Sequence, residues 1–403
     1  MLSRMHPRYY LSADTFEQEQ KKIFRKVWLF AGLKTLLSQH NNFITRKIAG
    51  IPVVVQNFNG ELRAFENVCL HRSAPLQSAF TGCRPLVCPY HAWKYGSDGT
   101  PDKIPHCESL YQFDADERAS LKLREFPLRI VGNILLINMD ANPFPLEEQF
   151  SSAFLSLLED SSNAYDTEVM VTTWHCKFNW KLIYENLRDA NHVAFIHPKS
   201  LAPAASFKPV VNHQAAAESC NAMSDTSPEA MRKEMRRFSY GGPEGKIDEL
   251  KSFGWHDFVK RWRFSEVPGK TTQSVGHNQA VAEESQDDAY FNWLAFPNLH
   301  IASGDGGHSF VIEHHIPVSP ERTDLEIWRF TARKTRRYQW SSQVLLSGMH
   351  HGKLIVGEDV DILEKVQSAL HLEAPMPHQG AYESTNRLIE RWYSTIMETE
   401  DGV

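Results

Sequence analysis

The chain has 403 residues, 42% hydrophobic and 23% charged, with a net charge of −6 at neutral pH. That length allows two or three domains with a large core, in the proportions of an ordinary globular protein. The acidic balance gives no general reason to expect nucleic acid as a partner, and no apolar run approaches the roughly 18 residues needed to cross a bilayer.

The opening "MLSRMHPRYYLSAD" holds no apolar stretch of signal-peptide length, so a cytoplasmic chain that does not engage a membrane is expected. The six cysteines (69, 83, 88, 107, 176, 220) then read as ligands or buried thiols in a reducing compartment. Residues 14 to 37 predict an amphipathic helix behind an Asp14 cap, ending in an apolar run. From about residue 43 short strands and tight turns follow. Hairpin signals at Asn59-Gly60, Asp98-Gly99 and Gly132-Asn133 predict a small all-β domain over 43–155.

Beyond it, "EVMVTTWHCKFNW" reads as a strand and "KLIYENLRDANHVAF" as a helix. Residues 200 to 285 are polar, with short helical pieces such as "SPEAMRKEMRRF", and read as a variable insertion or lid. Strands return in "AYFNWLAF", "SFVIEHHIPV" and "LEIWRFTAR", and helices over about 341–369 and 382–397 follow. The glycines of "SGDGGHS" (303–309) lie between strands and precede no helix, which favours a hairpin turn over a phosphate cradle. The basic clusters "MRKEMRR" (231–237) and "RKTRR" (333–337) are expected to be solvated faces, with docking of an acidic protein as the lesser alternative. There is no internal repeat.

Two groups of residues carry chemistry. "CLH" (69–71) and "CPYH" (88–91) each hold one cysteine and one histidine, on loops that hairpins can bring together. Zinc suits mixed Cys/His sites, but zinc fingers commonly group like ligands. One of each type per loop suits a two-iron cluster with both cysteines on one iron and both histidines on the other. "CLHR…CPYHAWKY" resembles the Rieske [2Fe–2S] motif, in which imidazoles replacing thiolates raise the potential. Cys69, His71, Cys88 and His91 would then hold the cluster. A structural zinc ribbon is the bland alternative, and Cys83 lies off the spacing.

The second group is "ENLRDANHVAFIHP" (185–198). On an ideal helix Asp189 and His192 stand about 60° apart, whereas His197 lies about 140° from His192. Pro198 pushes the residue before it out of the helical region, freeing His197 to swing towards His192. By itself this pair favours ordinary helix-end histidines. Together with the cluster motif, "NWKLIYENLRDANHVAFIH" resembles the mononuclear-iron segment of Rieske non-haem iron oxygenases. The resemblance makes His192 and His197 iron ligands and Asp189 the bridging acid. It takes the third ligand from "VGEDVDILEKV" (356–366), where Asp359, five residues before Glu364, matches and Asp361 is the fallback. A 2-His-1-carboxylate face leaves iron positions open.

As an alpha (large, terminal oxygenase) subunit of this family, the chain is expected to be α+β. A Rieske domain (43–155) would sit between an N-terminal part (1–42) and a helix-grip catalytic domain with an antiparallel sheet (156–403). The resemblance implies a [2Fe–2S] cluster, mononuclear Fe(II) and O2, with NAD(P)H acting through a separate flavin-containing reductase, with or without a ferredoxin. No G-x-G-x-x-G fingerprint opens a helix after a strand in this chain. It also implies a homotrimer, with or without a small beta subunit, in which Asp189 joins His192 to His91 of the partner subunit. Hydroxylation or dihydroxylation of a small aromatic substrate is expected first. Oxidative N- or O-demethylation, as of a quaternary amine, is the alternative, and a non-catalytic electron carrier is more remote. Only two residues separate Glu185-Asn186 from Asp189, which favours the phthalate-like or demethylating branches. His300, His308, His314 and His315 lie near the presumed pocket strands but read as ordinary strand residues.

Overall fold

A computed structural model describes residues 2–198, 200, 213–241, 291–303, 309–332, 341–372, 375–400 and 402–403. The chain divides into two units, Phe24–Phe144 and the pair of segments Met1–Ile23 and Pro145–Val403. These boundaries differ from the expected 43 and 155. The apolar run after the first helix is a strand, β1 (Leu29–Leu33), and it pairs with a strand at Ile134–Ile137 inside the β unit. At the other end, helical turns at Leu146–Gln149 and Ser152–Asn163 belong to the second unit.

In the β unit, β2 (Asn42–Ile48), β3 (Ile51–Phe58), β4 (Glu61–Glu66), β5 (Thr81–Cys83), β6 (Lys94–Tyr95), β7 (Pro101–Lys103), β8 (Glu125–Phe126), β9 (Leu128–Val131) and β10 (Ile134–Ile137) follow β1. They form sheets ordered β5-β2-β3-β4-β8, β1-β10-β9 and β6-β7. The β3–β4 turn has φ of 56° at Asn59 and 99° at Gly60, the left-handed pair that a two-residue hairpin turn demands. The other two hairpin signals join β6 to β7 and β9 to β10. Phe43, Val54, Phe65, Leu76, Leu86, Trp93 and Tyr95 fill the core beneath the Cys/His loops.

The second unit is built on one antiparallel sheet. Its strands are β11 (Met170–Cys176), β12 (Tyr240–Gly241), β13 (Phe291–Ala295), β14 (Leu299–Ser303), β15 (Ser309–Ser319) and β16 (Arg322–Thr331), in the order β11-β16-β15-β14-β13-β12. Helices α1 (Ala13–Glu19), α2 (Trp180–Leu187), α3 (Ser341–Ala369) and α4 (Ser384–Glu398) pack around it. Long α3 lies across one face of the sheet. The Arg329 guanidinium of β16 occupies the place where a side chain on Gly352 would stand, and Trp174 of β11 meets Gly357. The opposite face carries an aromatic cluster of Tyr165, Phe310 and Phe330. Buried Glu19 ties α1 to α2 and α4 by accepting from Trp180 Nε1 at 2.9 Å and from Lys181 and Tyr393. Three donors are what a buried carboxylate needs.

Two local expectations are corrected. Ser12, not Asp14, caps α1, its Oγ accepting from the Thr15 N–H at 3.3 Å, and Asp14 sits in the first turn. "MRKEMRR" is a solvated face only at Lys233 and Arg236, which are exposed, while Met231 and Met235 are buried. Arg232 pairs with Glu148 at 2.5 Å, and Arg237 with Glu218 at 2.6 Å and Glu234 at 2.8 Å. Residues 304–308, "RKTRR" and most of the 200–285 insertion lie outside the described residues. Among the described residues no helix is long and apolar enough to cross a membrane.

Candidate metal centres

The two Cys/His loops of the β unit are built alike. In the first, the Cys69 N–H donates to the Ala74 carbonyl at 2.9 Å and the Ser73 N–H to the Cys69 carbonyl at 3.0 Å. In the second, Cys88 donates to Trp93 at 2.9 Å and Ala92 to Cys88 at 3.0 Å. Each loop turns on a left-handed residue four positions after its cysteine, Ser73 (φ 55°) and Ala92 (φ 56°). Both cysteines are buried, and the His71 and His91 rings stand 4.5 Å apart. Trp93 stacks on His71 at 5.2 Å and 3°. The Tyr95 hydroxyl accepts the Leu70 N–H at 3.0 Å, so its own proton is available to Cys69 Sγ, 3.2 Å away.

The Nδ1 atoms of His71 and His91 are buried and have no hydrogen-bond partner. Orphaned buried nitrogens need an explanation, and a metal is the natural one beside two buried sulfurs. Burial pushes the Cys69 thiol up, so its thiolate needs a cation beside it. Two sulfurs and two imidazole nitrogens therefore fit a [2Fe–2S] cluster.

The second centre lies in the other unit. After α2 the helix breaks: Asp189 adopts an extended conformation, a tight turn covers Ala190–His192, and a short helix (Val193–Ile196) ends at His197. His197 leaves the helical region (φ −110°, ψ 44°) immediately before Pro198. Asp359 enters from α3. Ligand atoms of His192, His197 and Asp359 all lie within 4.8 Å of one another, the one such metal-competent group among the described residues. Asp359 Oδ1 is 3.1 Å from His197 Nε2 and 3.6 Å from His192 Nε2.

Both rings are held by their other nitrogen. His192 Nδ1 bonds the backbone carbonyl of Asp189. His197 Nδ1 bonds Glu358 Oε2 at 2.7 Å, and Ser200 Oγ donates to the same oxygen at 2.5 Å. The Asn186 amide donates to Asp359 Oδ1 at 3.0 Å. Burial opposes protonation of His197, but Asp359 and Glu358 outweigh it and raise its pKa. Two Nε2 atoms and a carboxylate on one side fit a divalent iron.

The expected acids are placed unequally. Asp359 meets both histidines, while Asp361 pairs with Lys365 at 2.5 Å on an exposed face. The Asp189 carboxylate accepts from the Asn191 N–H at 2.9 Å, so within the chain its link to the His192 ring runs through its carbonyl. Glu358 was only one of four acids in its stretch. What marks it out is its position beside Asp359, which lets consecutive residues grip both nitrogens of one ring.

A family model described as "Ring hydroxylating alpha subunit (catalytic domain)" matches residues 156–399, and one described as "Rieske [2Fe-2S] domain" matches residues 27–115. The chain is 31% identical over 194 residues to the carnitine monooxygenase oxygenase subunit of Escherichia coli, covering 47% of this chain and 51% of that one. It is 33% identical over 199 residues to the glycine betaine monooxygenase oxygenase subunit of Pseudomonas aeruginosa, covering 48% and 44%. It thus spans about half the length of the curated relatives it matches. The crystal structure of the quaternary ammonium Rieske monooxygenase CntA in complex with L-carnitine has the same fold. Its TM-score is 0.65 at 19% identity, over 97% of this chain and 95% of that one.

Proposed function

This chain belongs to the family of ring-hydroxylating alpha subunits, with a Rieske domain ahead of the catalytic domain, and from that premise we propose that it is the terminal oxygenase component of a multicomponent system. The observation that carries the reading is the convergence of His192, His197 and Asp359, with both Nδ1 atoms held away from the shared space. The cluster supplies single electrons when bound, and ferrous iron supplies open positions for dioxygen.

The residues of the chain have separate tasks. Cys69 and Cys88 would give thiolates and His71 and His91 would give Nδ1 to the cluster. Tyr95 holds a proton towards Cys69 Sγ. His192, His197 and Asp359 would hold the mononuclear iron. Asn186 fixes the Asp359 carboxylate, and Glu358 fixes the His197 tautomer by taking its Nδ1 proton in a hydrogen bond, the usual partner of a metal-bound imidazole.

Asp189 is read as the acid that joins His192 to His91 of the partner subunit in a head-to-tail trimer. Supporting this, Tyr90 beside His91 is 61% exposed and Phe195, between the two iron histidines, is 75% exposed. Large apolar side chains so placed suit a covered subunit boundary. Electrons come from NAD(P)H through a separate reductase.

For substrate, a small methylated or quaternary amine bearing a carboxylate has more support than an aromatic hydrocarbon. Carnitine and glycine betaine, named for two relatives, share that chemistry. The test is oxygen uptake coupled to NADH loss with a surrogate reductase, over carnitine, glycine betaine and aromatic acids. Turnover of a quaternary amine is expected. Asp189→Ala should abolish turnover, by at least ~100-fold as for loss of a well-placed group, while iron analysis shows both centres filled. Full activity in iron-replete Asp189→Ala would refute the bridge.

A further inference from the structure

A cavity between α2 and α4 is lined by none of the proposed metal ligands. Its walls include three side chains with acceptor oxygens, Glu185 of α2 and Asn386 and Glu390 of α4, and the rings of Trp180, Tyr184 and Trp392. Asn386 is 5% exposed and Glu390 3%. Asn386 Nδ2 donates to the Glu185 carbonyl at 3.3 Å, which fixes the orientation of the amide. Its Oδ1 is buried with no hydrogen-bond partner. Native interiors rarely leave such an atom unsatisfied, so it calls for a missing donor.

The charge around the cavity points the same way. Glu390 accepts from Ser3 Oγ at 2.9 Å, the Arg4 N–H at 3.0 Å and Gln379 Nε2 at 2.6 Å, all neutral donors. Glu185 accepts from the Tyr10 hydroxyl at 2.7 Å. The ammonium of Lys181, also on the cavity wall, is bonded to Glu19 instead. Among the described residues neither Glu185 nor Glu390 has an ion-pair partner. Buried carboxylates without a cation are costly. Burial and the neighbouring Glu390 raise the Glu185 pKa to about 8, against the pull of Tyr10 and Lys181. Burial raises the Glu390 pKa as well.

Size and ligand count narrow the occupant. The cavity offers about 20 Å³ of free space, room for one water-sized particle and too little for a methylated ammonium. Three side chains supply its oxygens. Calcium takes six or more oxygen ligands, and magnesium demands an octahedron. A water would satisfy the Asn386 oxygen but leave both carboxylates unmatched. A monovalent cation answers both needs, and aromatic walls suit it.

We propose that Glu185, Asn386 and Glu390 form a binding site for one dehydrated monovalent cation, potassium or ammonium. The site stands apart from the oxygenase reading and needs no substrate. An ion there ties the last turn of α2 to α4, one residue before Asn186, whose amide holds Asp359.

The test melts the full, iron-replete chain at pH 8.5 and fixed ionic strength while lithium chloride is replaced by potassium chloride or ammonium chloride. Lithium is the control, because the smaller ion sheds its water less readily. Potassium, ammonium or both should raise the melting temperature saturably, by about 2 °C for an ion at about ten times its Kd. A response to potassium alone marks ligation by oxygen, a response to ammonium alone marks N–H donation, and equal responses mark selection by size. Glu185→Gln should abolish the response. So should Asn386→Leu, which removes Oδ1 and fills the space, and either variant serves if the other fails to fold. Melting temperatures that match in all three salts overturn the site and leave a buried water as the occupant. A potassium or ammonium response that survives either substitution overturns it too. Iron content and the Rieske EPR signal of the same samples judge the oxygenase reading separately.

Discussion

The two proposed metal centres draw their residues together in opposite ways. In the β unit the four donors come from two short loops, each carrying its cysteine and histidine two or three residues apart on the same backbone turn. The buried hairpin core below packs directly against both loops. In the other unit the proposed donors come from a broken helix and from α3, His197 and Asp359 standing 162 positions apart in the sequence. Nothing local holds them together. Packing of α2 and α3 against the sheet, and the grips of Asn186 and Glu358, must do so. The first centre should therefore tolerate disturbance elsewhere, whereas the second should be sensitive to residues that never touch the metal.

The strongest way to break this comparison is to empty each centre by itself. Cys88→Ser should abolish the Rieske EPR signal and leave mononuclear iron bound. His192→Ala should do the reverse, and turnover should vanish in both. The contrast fails if either change empties both centres, as judged by EPR and by sulfide and iron analysis. A smaller effect sharpens the contrast. Glu358→Ala leaves every proposed ligand in place but frees His197 Nδ1. It should weaken ferrous iron binding by about 10–100-fold in chelator competition, with the Rieske signal unchanged. Wild-type affinity in that variant would mean that α3 alone sets the site.

How far each centre could be read from sequence follows from the same difference. The Cys-x-His and Cys-x-x-His spacings lie inside single loops, so the proposed ligand set can be named from the sequence, and the three hairpins beneath it were legible there. His197 could be seen leaving its helix because Pro198 forces the turn. Asp359 needed the family resemblance, since no local pattern separates it from Asp361. Glu358 was invisible, because its role depends on how α3 is rotated against His197. The start of the β unit was misplaced for a related reason. "LFAGL" is buried throughout, and a short fully buried strand has the same apolar texture as the end of an amphipathic helix. Its partner, Ile134–Ile137, lies about a hundred residues away, beyond any local signal.

The smallest expected effect belongs to the self-contained centre and tests how finely its loops are tuned. Tyr95 is 1% exposed, and its hydroxyl takes the Leu70 N–H while standing 3.2 Å from Cys69 Sγ. A proton given to sulfur stabilises the reduced, more negative cluster, so hydrogen bonds to the sulfurs raise the potential. Tyr95→Phe keeps the ring that fills the core and removes only that donor. A hydrogen bond worth about 1 kcal/mol corresponds to a one-electron shift on the order of 40 mV, and the shift should be downward in an EPR-monitored redox titration. Iron binding at His192, His197 and Asp359 should not change. An unmoved potential would mean that the Tyr95 proton is not directed at the sulfur. A fall in mononuclear iron would mean that the β unit is less independent of the second centre than its loop geometry implies.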